Sequence, residues 1–299
     1  MSEREPILMC ATGKKGVGKT FTTLKAIAEY VKPNKKTGKK PRKVLIYDIN
    51  MEYTDFKAIS VEDIPRFSRQ SKVEVRRVLP ILDGGKMASL SEMLDLLNQI
   101  IENFRGGMLV LEDINRYLIQ SKTTDVIGLL ATNRHRDLDI ICHFQSLSAL
   151  DPRMWQNTAF VRFHYQIDDI KRYAQRIPNY EMFKIAQCLS EYRYLQCNDK
   201  RFYCYIASDD NYITGNFTKR DFEFACRSYL ESNPRRVNDA QKKFGTSADG
   251  REKSVKLIMA ELFQKYYRGI WKITTYYLST HHVQDLQSFL LGWTTSYQI

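Results

Sequence analysis

The chain has 299 residues, 43% of them hydrophobic and 27% charged, a balance that excludes a disordered polymer and fits a folded globular protein. No apolar run approaches the roughly 18–20 residues a membrane-spanning helix needs. The first ten residues carry Glu3 and Glu5 beside a very short apolar patch and do not read as a secretory signal, so a cytoplasmic protein without membrane insertion is expected. The 46 Lys and Arg against 34 Asp and Glu leave a formal charge of +12, which points to a polyanionic partner, nucleic acid first among them.

In chain order, a strand expected at 7–11 runs into Gly13-Lys14-Lys15-Gly16-Val17-Gly18-Lys19-Thr20, and a helix is expected at 20–31. The eight residues fit G-x-x-x-x-G-K-[ST]. Glycines let the backbone wrap a phosphate chain with its N–H groups inward, and the helix start adds the positive end of its dipole. Lys19 is then placed for the β- and γ-phosphates of a nucleoside triphosphate, and the Thr20 hydroxyl for Mg²⁺. The motif follows a strand and opens a helix, as that mechanism demands.

Lys32, Lys35, Lys36, Lys39, Lys40, Arg42 and Lys43 then crowd one loop with no acid between them, which suits contact with nucleic-acid phosphates or simple solvation. A strand at 44–47 ends in Asp48, followed by Glu52 and Tyr53. Either Asp48 caps the strand end, or one of the two acids faces the phosphates. A further strand is expected at 75–82. A helix follows at 91–104, with Ser89 or Ser91 as its N-cap and Leu94, Leu97, Ile100, Ile101 and Phe104 on one face.

The next strand, 108–111, ends in Glu112 and Asp113. A phosphate-binding loop needs an acid at the end of a neighbouring buried strand. Glu112 is assigned to the Mg²⁺ through water, and Asp113 to orienting or deprotonating the attacking water. Beyond a helix expected at 114–134, a strand at 140–144 ends in Gln145, an amide placed to sense the γ-phosphate or the water. Arg134 and Arg136 either complete a neighbouring subunit's site or are solvated helix-end cations. No guanine-selecting N-K-x-D stands in a suitable place, so ATP rather than GTP is expected.

A strand at 159–165 precedes two runs, 192–197 and 201–207, that read as an edge hairpin joined by Asn198-Asp199-Lys200. A helix is expected at 218–231. The domain reading is an α/β unit at 1–232 with a mainly parallel sheet flanked by helices, a polar linker at 233–251, and a small helical C-terminal segment at 252–299. Arg235, Arg236, Lys242 and Lys243 of the linker are further candidates for nucleic-acid contact. The six cysteines include no C-x-x-C and read as buried thiols.

The glycine-rich loop, the Asp48/Glu52/Tyr53 strand end, the Glu112-Asp113 pair, and Arg134 followed eleven residues later by Gln145 together resemble the FtsK-HerA superfamily of P-loop ATPases. The spacing is similar to its zonula occludens toxin-like and phage genome-packaging groups. The reversed order, Glu before Asp, departs from that pattern. The resemblance, which covers residues 5 to about 165, implies a RecA-like fold and a homo-oligomeric ring that couples ATP hydrolysis to movement of double-stranded DNA. The source implied is a phage or virus-like genome, with the protein in the host cytoplasm and possible contact with a portal or capsid-like partner. The competing reading is a nucleotide-dependent assembly or secretion ATPase that pumps no DNA.

Overall fold

The computed structural model describes residues 6–33, 40–114, 128, 130, 132–244 and 247–268. Its strands are β1 (Leu8–Thr12), β2 (Lys43–Tyr47), β3 (Val75–Val78), β4 (Gly107–Leu111), β5 (Leu138–Phe144), β6 (Phe160–His164), β7 (Tyr203–Ala207) and β8 (Tyr212–Gly215). They join in one sheet in the order β3-β2-β4-β5-β1-β6-β7-β8. Strands β1 to β6 pair in parallel, and β7 and β8 extend the sheet antiparallel. Every residue of β1, β4, β5 and β6 is buried, as near-continuous apolar strands covered on both faces must be.

The helices are α1 (Lys19–Tyr30), α2 (Ile64–Arg69), α3 (Leu90–Asn103), α4 (Pro152–Trp155), α5 (Tyr180–Glu191), α6 (Lys219–Ser232), α7 (Pro234–Phe244) and α8 (Ala248–Tyr266). Alternation along the strands sends Leu8, Cys10, Leu45, Leu109 and Ile140 to one face, where α3, α5, α6 and α8 cover them. Met9, Val44, Ile46, Met108 and Ile141 look to the other face, against Ile27 and Tyr30 of α1. With β5 inserted between β1 and β4, this is the RecA-like P-loop arrangement expected from the sequence. Ser89 is the N-cap of α3 and closes a capping box with Glu92. Cys10, Cys142, Cys188, Cys204 and Cys226 are buried and Cys197 is exposed. Burial pushes the Cys10 thiol up to about 12. Among the described residues no helix is long and apolar enough to cross a membrane.

Several expectations are corrected. The strand expected at 75–82 stops at Val78, because Pro80 has no N–H to give a ladder. The hairpin expected from 192–197 and 201–207 does not form. Tyr192–Gln196 prolongs α5 as a π-helical turn, its aromatics claimed by neighbours: Tyr192 stacks on Phe224 at 4.1 Å and Tyr194 on Tyr165 at 4.0 Å. The hairpin that does form joins β7 to β8, with Asn211 taking the left-handed turn position at φ 55°. The stretch expected as a linker, 233–251, is helical at Pro234–Phe244 and enters α8 at Ala248. Proline sits at the first helical position of α7, where a missing N–H costs nothing. Val237, Ile258, Met259, Leu262 and Tyr266 of these two helices join the main core. The helix expected at 114–134 lies mostly outside the described residues, as do residues 269–299.

The edge of the sheet away from the strand C-termini is tied by one buried acid. Asp139 Oδ1 accepts from the Ile7 N–H at 2.9 Å, Oδ2 accepts from the Tyr30 hydroxyl at 2.6 Å, and Arg42 Nη1 lies 3.9 Å away. One carboxylate thus joins β5 to the entry of β1, the end of α1 and the entry of β2. Asp139→Ala, which takes the acceptor from the buried Ile7 N–H and Tyr30 hydroxyl, is expected to destabilise by about 3 kcal/mol. Tyr30→Phe is expected to cost about 1 kcal/mol. Urea unfolding midpoints of the two variants check this order.

Candidate functional site

All six parallel strands end at one edge, and there the glycine-rich loop leaves β1. Gly13 N–H donates to the Phe144 carbonyl at 3.2 Å and Lys14 N–H to the Tyr165 carbonyl at 3.0 Å, so the loop is pinned to the ends of β5 and β6. Gly16 and Gly18 have φ of 82° and 89°, the left-handed region glycine enters without strain. A Cβ at Gly13 would sit 2.6 Å from His164 Cβ, whereas one at Gly16 meets nothing within 4 Å. Gly13 is therefore the close-packed floor and Gly16 the open lip of the loop. Val17, between Gly16 and Gly18, is buried; Lys15 is exposed.

Gly18 is the N-cap of α1 and offers no side-chain acceptor, which leaves the first-turn N–H groups for an anion. Lys19 Nζ donates back to the carbonyls of Gly13 at 2.6 Å and Lys14 at 2.9 Å. Burial lowers the Lys19 ammonium, opposed chiefly by the nearby charges of Asp113 and Glu112. The Thr20 hydroxyl donates to Glu52 Oε2 at 2.8 Å.

Three further acids stand at the strand ends. Asp48 accepts from the N–H groups of Glu52 at 2.9 Å and Tyr53 at 3.1 Å and from Arg77 Nη1 at 2.9 Å, so it caps the turn after β2. Of the two acids left open by the sequence, Glu52 is the one at the Thr20 hydroxyl. Glu112 is 3% exposed, accepts from the Tyr53 hydroxyl at 2.5 Å and faces His143 Nδ1 at 3.1 Å. Burial pushes its carboxyl up, but His143, the Tyr53 hydroxyl and Lys19 outweigh that and hold it below the usual carboxylate range. Asp113 has φ 38° and accepts from Asn50 Nδ2 at 3.0 Å.

Under α1 lies a polar floor that the sequence reading missed. His143 of β5 and Arg162 of β6 both stand opposite Ala11 of β1, one on each side. His143 Nε2 is 2.7 Å from the Thr23 hydroxyl, and Arg162 Nη2 donates to Thr23 Oγ1 at 2.5 Å and to the Lys19 carbonyl at 3.4 Å. The other ring nitrogen of His143, Nδ1, faces Glu112. His164, buried under Gly13, is lowered well below the ordinary imidazole value by burial and by the charges of Arg162 and Lys19. The signal was present: an arginine and two histidines interrupt strands otherwise read as apolar, and a buried charge must find partners.

The structure brings residues 13–20, Glu52, Glu112, Asp113 and Gln145 to one edge, Gln145 exposed directly after the residue that anchors Gly13. Arg134 is elsewhere. It is exposed in the turn Asn133–Arg136 that precedes β5, so all seven residues of that strand separate it from the loop. Arg136 donates to the carbonyls of Ile101 at 2.7 Å and Glu102 at 2.9 Å and closes the end of α3. Among the basic loop residues, Arg42 is engaged by Asp137 at 2.6 Å and Lys43 by the Ser68 carbonyl at 2.7 Å. Arg236 of the expected linker pairs with Glu181, and Lys242 with Asp239 at 2.7 Å. Lys35, Lys36 and Lys39 lie outside the described residues.

These donors fit a triphosphate with Mg²⁺. Among the described residues no three His, Cys, Asp or Glu side chains converge as a metal cage. Mg²⁺ does not need one, since it keeps several waters and takes one or two carboxylates together with the phosphates it bridges.

The loop has the G-x-x-x-x-G-K-[ST] sequence and the strand-to-helix backbone geometry of a P-loop. No family model matches the chain, and no curated protein sequence matches it. Solved structures do resemble it. The genome packaging NTPase B204 from Sulfolobus turreted icosahedral virus 2, in complex with sulfate, has a TM-score of 0.47 and 17% identity, over 70% of this chain and 94% of that one. The DNA-packaging ATPase B204 from Sulfolobus turreted icosahedral virus has a TM-score of 0.47 and 15% identity, over 70% and 96%. The N-terminal domain of zonular occludens toxin from Neisseria meningitidis has a TM-score of 0.32 and 19% identity, over 56% and 79%.

The two loop glycines separate floor from lip. Gly16→Ala is expected to cost about 1 kcal/mol, from left-handed backbone strain alone. Gly13→Ala, which adds the His164 clash, is expected to cost roughly 3 kcal/mol. Thermal unfolding of the two variants measures the difference.

Proposed function

We propose that this protein is an ATP-driven DNA translocase of the genome-packaging type, working as a homo-oligomeric ring that couples Mg²⁺-dependent ATP hydrolysis to movement of double-stranded DNA. The observation that carries the reading is the division of the site between two edges of the sheet. Loop, carboxylates and Gln145 occupy one edge, and exposed Arg134 the other. Seven strand residues span roughly 20 Å, so Arg134 does not reach the phosphates of its own copy, and any catalytic role it has is in trans.

In this reading Lys14, Lys15, Lys19 and the backbone from Gly13 to Gly18 hold the phosphates, and Thr20 and Glu112 hold Mg²⁺. The metal, when bound, supplies charge neutralisation on the β- and γ-phosphates. Asp113 orients or deprotonates the attacking water, with Glu52 a second carboxylate beside the Thr20 hydroxyl. Gln145 senses the γ-phosphate, and Arg134 of a neighbouring copy stabilises charge in the transition state. The net charge of +12 suits a nucleic-acid partner, with exposed Lys32, Lys40 and Arg235 available for phosphates.

Lys19→Ala is expected to abolish ATP hydrolysis and its stimulation by double-stranded DNA. Hydrolysis untouched by that change sinks the proposal, and turnover indifferent to DNA favours an assembly or secretion ATPase. Arg134→Ala is expected to lower turnover by 10³-fold or more, on the order seen for arginine fingers. Mixing Arg134→Ala with Glu112→Gln is expected to restore part of it, since one of the two kinds of mixed interface pairs the intact carboxylate of the first variant with the intact arginine of the second. Absence of rescue in a steady-state phosphate-release assay removes the role in trans.

A further inference from the structure

At the first turn of α1, beside the rim of the loop, stand side chains of a kind that does not bind phosphate oxygens alone. Phe21 follows Thr20 and is 37% exposed. The guanidinium carbon of Arg201 lies 4.3 Å from the Phe21 ring centroid, and Lys25 Nζ 4.6 Å from it. The stem of Arg201 runs along the loop: a Cβ at Gly18 would sit 3.2 Å from Arg201 Cγ. Arg201 has no ion pair among the described residues; an aromatic ring holds it in place of an acid.

The segment that carries Arg201 is built to hold position. Residues 197–202 lead into β7, whose Tyr203 pairs with His164, the residue beneath Gly13. Arg193 of the π-helical turn reaches forward to Asp199 at 2.9 Å and to Asp221 of α6 at 3.2 Å. Asp199 N–H donates to the Arg193 carbonyl at 2.9 Å, and Lys200 Nζ to the Tyr194 carbonyl at 2.8 Å. The brace holds a flat cation beside Gly18 and the first turn of α1.

We propose that Phe21 and Arg201 form the platform on which the purine base of the nucleoside triphosphate stacks. The inference rests on the reading of the P-loop as a nucleotide site and adds the element that recognises the nucleoside half. A guanidinium plane and an aromatic ring each stack on a base face. The phosphates make their contacts with the loop and Lys19, and the base makes its contact with Arg201, so the two halves of the ligand respond to different variants.

The test is calorimetric titration of the full chain with Mg-ATP and with Mg-tripolyphosphate, for the wild type and for Arg201→Ala, Phe21→Leu and Lys19→Ala. Arg201→Ala and Phe21→Leu are expected to weaken ATP about tenfold while tripolyphosphate changes by less than about twofold. Equal weakening of both ligands makes Arg201 a phosphate contact and overturns the platform. Unchanged ATP binding in both variants overturns it as well. Lys19→Ala must weaken both ligands; if it weakens neither, the P-loop reading fails on a result that does not involve Arg201.

Discussion

A backbone loop that wraps phosphate must be held rigidly at its base, and here the base is polar. Arg162, His143 and Thr23 make one buried contact set under α1, which reaches up to the Lys19 carbonyl and sideways to Glu112 and Tyr53. Each member is costly to bury alone, and the contacts through Thr23 Oγ1, His143 Nε2 and Arg162 Nη2 offset part of that cost. The consequence is mechanical: the first turn of α1 and the carboxylate at the end of β4 belong to one contact network. A displacement of β5 or β6 would be felt at both.

The parallel sheet then decides what shares an edge with what. Parallel strands send all their C-terminal ends the same way, so the P-loop, Glu112, Asp113, Glu52 and Gln145 gather although they lie up to 132 residues apart in the chain. The opposite edge carries the Asp139 anchor, Arg134 and the entry of β2 behind the basic loop. On the function proposed above, each copy thus presents a catalytic edge and a completing edge. Head-to-tail contacts between unlike edges of this kind close into rings where the rotation between copies closes.

The C-terminal helices show how composition misleads. Residues 233–251 are polar and contain proline and glycine, yet α7 and α8 close the main core. The Tyr266 hydroxyl donates to Glu181 at 2.9 Å, and the same Glu181 pairs with Arg236. A few apolar positions, Val237 and Ile258 among them, suffice when the face they meet is already formed by α5 and α6.

The strands that pack as continuous apolar runs, the capped helix at Ser89, and the P-loop residues were legible because local rules govern them: periodicity, capping chemistry and the left-handed freedom of Gly16 and Gly18 depend on few neighbours. The hairpin misreading at 192–207 arose because alternating aromatics look alike on a strand and on a helix flanked by two packing surfaces. Only the fold chose, by supplying Phe224 and Tyr165 as stacking partners. The same holds for the site. Sequence alone determined which backbone can cradle a phosphate chain and which acids end the buried strands. Tertiary structure decided that Asp48 caps a turn while Glu52 meets Thr20, that Arg134 stands on the far edge, that His143 and Arg162 pack beneath the loop and that Arg201 lies beside Gly18, because a charged side chain's surroundings are set by the partners that long-range packing brings within a few ångströms of it.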